Sequence, residues 1–129
     1  MGRRRIARVE PRGQSEHWVA LGERAWHIES VWEAARDLPV EDVSVGSIRE
    51  LDEDCWFTGR PATVRDVVEH ARRIQGADLG LPVILASDGQ VLDGMHRIAK
   101  ACLLGRATVA AQRLPSDPEP DWYISNEFS

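Results

Sequence analysis

Apolar residues change their spacing several times along this chain, and each change marks an element. Helical spacing begins near His27: Ile28, Val31, Trp32, Ala35 and Leu38 share one face, and Glu29, Glu33, Arg36 and Asp37 lie off it until Pro39 ends the pattern. Val40–Ile48 reads as a strand, with the best alternation from Val43 to Val45. Thr63 suits an N-cap with Asp66 at N3. Val64, Val67, Val68, Ala71 and Ile74 then predict an amphipathic helix of about four turns, closed by Gly76 and Gly80. Pro82–Ala86 is a short apolar run that predicts a strand. Asp88-Gly89 predicts a two-residue type I′ turn, and Val91–Asp93 the returning strand. After Gly94 the period changes again. Met95, Ile98, Ala99 and Cys102 recur at helical spacing, and Gly105 stands where a C′ glycine ends a helix. Ala107–Leu114 predicts a last strand. Residues 115–129 carry Pro115, Pro118 and Pro120 and read as an extended tail that Trp122 and Tyr123 can fold back. Before His27 the pattern is weak. Trp18, Trp26 and Trp32 cover either one edge of the core or a partner surface.

A length of 129 residues suits one domain with one modest core. No apolar run approaches a membrane span and no secretory signal is visible, so a cytoplasmic protein is expected. Cys55 and Cys102 form no CxxC pattern and no disulfide framework, and Cys102 falls on the apolar face of its helix, as a core residue would. The net charge of −5 is unevenly spread. Residues 1–12 hold five arginines and one acid, so residues 13–129 keep 11 of the 16 basic and 20 of the 21 acidic groups, a net of −9. Residues 1–13 read as a basic, disordered arm and 14–129 as the folded domain. Such an acidic body binds nucleic acid weakly at most, and only through the arm.

The candidate chemistry sits at the strand-to-helix junction Asp93-Gly94-Met95-His96-Arg97. A helix N-terminus presents free amides and the positive end of the helix dipole, which suits phosphate. Gly94 allows close approach, and His96 and Arg97 add donors. The bland reading is a capping Asp93, a locally bonded His96 and a salt-bridged Arg97, and the residues alone weigh it equally with anion binding. The four histidines, His17, His27, His70 and His96, share no metal-ligand spacing with one another or with the cysteines. His70, beside an apolar stripe, reads as structural. No Walker A loop and no Gly-x-Ser-x-Gly elbow occurs.

The run Gly94-Met95-His96-Arg97-Ile98-Ala99-Lys100-Ala101 resembles the phosphate-binding box of the ParB/sulfiredoxin superfamily, and its Asp-Gly-x-His-Arg form is most similar to the free serine kinase branch. The resemblance extends loosely over Val40–Leu114, the core of the domain. It implies an α/β (α+β) fold with a small mixed sheet flanked by helices. It also implies a nucleotide ligand (ATP, ADP or CTP) with Mg²⁺, held by Asp93, Gly94, Met95, His96 and Arg97, with Asp93 nearest the metal. In the kinase branch a glutamate shortly after the first strand acts as base on the substrate hydroxyl. Glu50 and Glu53, in the acidic run Glu50–Asp54, stand at that place; by itself the run reads as a solvated loop, with Trp56-Phe57 anchoring it to the core. The implied activity is a small phosphotransferase acting on a hydroxyl substrate, or a nucleotide hydrolase. The alternatives are a non-catalytic nucleotide sensor whose Trp-rich N-terminal region binds a protein partner, and a ParB-like nucleic-acid-associated protein using the arginine arm. Sulfiredoxin chemistry needs a cysteine where Met95 stands, and a thioether is no such nucleophile.

Overall fold

The first hairpin lies where the pattern was weakest. β1 (Trp18–Leu21) pairs antiparallel with β2 (Arg24–His27) in the register Leu21↔Arg24 to Trp18↔His27, closed by a two-residue turn at Gly22-Glu23. This computed structural model describes residues 17–57 and 59–124, so the arginine arm expected at residues 1–13 lies outside the described residues. α1 (Ile28–Ala35) follows directly and buries Ile28, Val31 and Ala35. Trp32, expected on that buried face, is instead 51% exposed, because its indole N–H turns outward to the Asp93 carboxylate at 2.9 Å.

β3 (Glu41–Ser44) is shorter than the predicted strand. After Ser44 the chain winds into 3-10 turns at Val45–Ser47 and Arg49–Asp52; Val45 in the first and Ile48 between the two are still buried. α2 (Val64–Gly76) has the full capping box at Thr63 and Asp66. Its apolar stripe does not enter the core: no α2 residue is buried, and Val64 is 81% exposed. Its attachment lies in its C-terminal half, where Lys100 donates to the carbonyls of Gln75 (3.0 Å) and Ala77 (2.8 Å).

β4 (Val83–Leu85) and β5 (Val91–Asp93) form the expected hairpin, but the turn differs. The Gly89 N–H donates to Ala86 O and the Ala86 N–H to Gln90 O, giving a three-residue loop of 87–89. Asp88 accepts the Gln90 N–H at 3.0 Å, and Gly89 takes the left-handed position at φ +94°. This is the loop class that follows the two-residue turns in frequency. α3 (Met95–Leu103) ends in a Schellman motif: Gly105 N–H donates to Cys102 O and Arg106 N–H to Ala101 O. Cys102, assigned above to the core, is exposed, since Ile98 and Ala101 carry the buried side of the helix. β6 (Thr108–Arg113) and β7 (Trp122–Tyr123) complete the chain.

Among the described residues the fold is α+β, with three α-helices and two small sheets. One sheet has the order β1-β2-β7. The other is mixed, β3-β6-β4-β5, with β4 and β6 parallel. Strand β4 explains the layering. Val83 and Leu85 face α3 with Val43, Ile98, Ala101 and Val109. Ile84 and the adjoining Ala86 face α1 with Trp26, Ile28, Val31 and Leu92. A strand covered on both faces needs a continuous apolar run, which Val83–Ala86 supplies. No helix of the described residues is long and apolar enough to cross a membrane.

Candidate functional site

Strand β5 ends at Asp93, and the chain turns into α3 through Gly94, whose φ of +110° and ψ of 22° are left-handed. The first helical bonds run from Arg97 N–H (2.9 Å) and Ile98 N–H (3.0 Å) to Gly94 O, so the amides of Met95 and His96 precede the ladder. Both residues line a cleft of about 1080 Å³ together with Asp93, Gly94 and Arg97. The same cleft is lined by Glu50 and Glu53, which lie forty or more positions upstream of the junction, and by His70 and Arg73 of α2.

The acidic candidates differ in setting. Glu50 Oε2 accepts the Val91 N–H at 2.9 Å, which locks this carboxylate to the strand leading into Asp93. Glu53 pairs with Arg49 at 3.4 Å and stays half-exposed. Asp93 Oδ2 accepts from Trp32 and faces Arg97 Nη2 at 3.4 Å. Arg97 Nη1 donates to the carbonyls of Pro82 (2.6 Å) and Leu81 (3.2 Å). Asp93 and Arg97 therefore brace the entry to β4 as well as edging the cleft. Asp93 does not cap α3; Gly94 occupies that position.

The histidine pair has no counterpart in the sequence pattern. His70 Nδ1 and His96 Nε2 lie 2.8 Å apart, one donating and the other accepting. Trp56 stacks over both rings, at 4.3 Å and 4.6 Å between centroids and within 11° and 9° of parallel, and Phe57 meets His70 edge-on. Trp56-Phe57 thus anchors its loop on imidazoles rather than on the apolar core. Burial holds both histidines below their ordinary pKa. Arg73 adds to this for each and His70 adds to it for His96, while Asp66 and Glu69 oppose it at His70. The pair is 26 residues apart in sequence, and no spacing rule links two positions on different helices; the one signal was an aromatic pair beside a polar loop.

Neither a protein-family model, a curated protein nor a solved structure matches this chain. The site stands on its own geometry. Cys55 also lines the cleft, and burial together with Glu50, Glu53 and Asp54 pushes its thiol above the ordinary value. A thiol held protonated is a poor nucleophile. Among the described residues no three His, Cys, Asp or Glu side chains gather as a metal cage. At Asp93 the Oδ2 atom already takes the Trp32 and Arg97 donors; a single carboxylate with phosphate oxygens and water is a usual mode for Mg²⁺.

Proposed function

We propose that the cleft binds a nucleotide through its phosphates and that the protein is a small Mg²⁺-dependent phosphotransferase of the kind the ParB/sulfiredoxin resemblance implies. The observation that supports this is that one cleft gathers Glu50 with the whole of Asp93–Arg97. In this reading the amides of Met95 and His96 meet the phosphates at the positive end of α3. Arg73 contributes positive charge from α2. Arg97 shapes the site by holding Asp93 and the Leu81 and Pro82 carbonyls. Mg²⁺, held by Asp93 and phosphate, would neutralise the charge that develops in transfer. Glu50, fixed by the Val91 N–H, would take the acceptor hydroxyl's proton, and Glu53 is the weaker candidate.

One observation favours a non-catalytic sensor instead: the Asp93–Arg97 pair and its backbone bonds form a bracing network that needs no turnover. Calorimetry with ATP, ADP and CTP in Mg²⁺, followed by a turnover assay with small hydroxyl acceptors, separates the two. The enzyme reading expects binding, turnover, and a fall in kcat of about 10²-fold in Glu50→Gln with nucleotide affinity retained. The amide oxygen can still accept from Val91, so such a loss reports on basicity. Binding without turnover favours the sensor, and no binding of any nucleotide overturns both.

A further inference from the structure

A second cavity, of about 570 Å³, lies between the Glu50–Phe57 segment and helices α2 and α3. Leu51, Trp56, Phe57, Ile74 and Ala99 give it apolar walls. Asp52 and Asp54, both exposed, line it as well, and Asp54 keeps Oδ1 on the Phe57 N–H at 2.8 Å. The field here is negative: after burial, the charges of Glu50, Glu53 and Asp54 raise the Cys55 thiol, which borders the same space. An apolar hollow beside exposed carboxylates suits a segment that mixes cationic and aliphatic side chains. The volume is in the range of small-ligand sites, enough for a few side chains of a peptide.

The chain carries such a segment outside the described residues. Positions 3–9 read Arg3-Arg4-Arg5-Ile6-Ala7-Arg8-Val9, and each branched aliphatic residue there follows an arginine. We infer that this segment docks in the cavity of its own chain, with Ile6 and Val9 against the apolar walls and the arginines on Asp52 and Asp54. The inference does not depend on the phosphate reading of the cleft. Reach permits it. His17, the first described residue, lines the larger cleft, which shares Cys55 and Trp56 with the cavity. Val9 stands eight positions before His17, and eight extended residues span up to about 26–29 Å, close to the diameter of a small domain. Charge selects it, because residues 1–12 hold five arginines against one acid while the rest of the chain is strongly acidic. A short tether also sets an effective concentration on the order of millimolar, which an unlinked partner must exceed. Exposed ion pairs contribute little by themselves, so Ile6 and Val9 are needed along with the arginines.

The test is paramagnetic broadening in the full chain. A nitroxide is placed at Ala7→Cys, with Cys55→Ser and Cys102→Ser removing the two native thiols. The amide signals of Leu51, Ile74 and Ala99 are expected to lose most of their intensity. They should recover it in two further variants, Ile6→Gln with Val9→Gln, and Asp52→Asn with Asp54→Asn. Asparagine at 54 keeps an oxygen for the Phe57 N–H, so the loop is retained. Recovery is also expected in about 1 M salt, where the Debye length falls to about 3 Å. A second measurement needs no label: Ile6→Gln with Val9→Gln in the otherwise native chain should shift the same three amide signals. Signals that stay sharp beside the nitroxide, or broadening that the variants leave unchanged, overturn the docking. Absence of the shifts in the unlabelled pair overturns it as well. In a mixture of nitroxide-bearing chains with separate isotope-labelled chains, broadening as strong as within one chain would assign the cavity to the arm of a second copy and overturn docking within the chain.

Discussion

Among the glycines of the described residues, Gly94 has the least room around it. A Cβ built there would lie 2.6 Å from Val83 Cγ1 and 3.2 Å from Val83 Cα, at a φ of +110° that side chains rarely adopt. Glycine is therefore required for helix–strand packing before any ligand is considered. Left-handed backbone costs an L-residue about 1–2 kcal/mol, and overpacking a well-filled core adds about 1–3 kcal/mol. Gly94→Ala should thus destabilise the ligand-free protein by about 2–5 kcal/mol, read as a lower urea midpoint with an unchanged slope. Unaltered stability with weakened nucleotide binding would show that the glycine serves the ligand alone. The run that resembles a phosphate-binding box and the packing constraint fall on the same residue, which explains why sequence alone left its role open.

At the scale of elements, α2 is held to α3 by two devices, the Lys100 bonds to its last carbonyls and the His70–His96 pair under Trp56. The pair makes the attachment pH-sensitive. Both imidazoles titrate below the ordinary histidine value, so between that value and their folded pKa the unfolded chain binds more protons. Stability therefore rises with pH through this window and is lost as pH falls below about 6.5. The charges facing the pair are Arg73, Asp66 and Glu69 of α2; Glu50, Glu53, Asp93 and Arg97 line the same cleft. Thermal melts from pH 7.5 to 5 should show a downward slope that a His70→Gln, His96→Gln double variant flattens. Equal slopes in the two proteins would contradict it. The exposed Val64, Val67 and Val68 fit the same picture: α2 is attached by polar and aromatic contacts toward its C-terminal end, and its apolar stripe contributes little.

At the scale of the whole molecule, the extended segment after β6 joins the two sheets. Asp117 accepts from the Ser87 N–H at 2.8 Å and from Arg24 Nη1 at 3.0 Å, and Trp26 Nε1 donates to Pro118 O at 3.1 Å. Asp121 accepts from the His27 N–H at 2.9 Å and from Ser30 Oγ at 2.7 Å, at the start of α1. Burial pushes the Asp117 carboxyl up, but the Ser87 and Arg24 bonds outweigh it, and its pKa lies below the ordinary range. Its contribution is thus present at neutral pH and disappears as acid protonates it. Asp117→Ala should cost about 1.5–3 kcal/mol in chemical denaturation at pH 7, the range for hydrogen bonds involving a charged group. Asp37→Ala, on an exposed position after α1, should stay within about 0.5 kcal/mol. Similar losses for the two would remove the segment's role as a strap.

The chain by itself determined what local spacing can carry. The 3.6-residue repeats of α1 and α3, the capping box at Thr63 and Asp66, the Gly105 stop and the hairpin leading into Asp93 all follow from contacts within a few residues of one another. Glu50 entered as a candidate only through a family resemblance; its bond to the Val91 N–H is a contact that local spacing does not show. Tertiary structure alone decided the rest, because those features depend on which surfaces meet. Periodicity shows that a helix has an apolar face but not whether anything covers it, so α2 stayed open and Cys102 outside the core. Burial pattern cannot show that Trp32 turns its indole to Asp93, nor that His70 meets His96 across 26 residues. The short strands β1, β2 and β7 carry too few residues for alternation to register, and pairing between distant segments is what makes them strands.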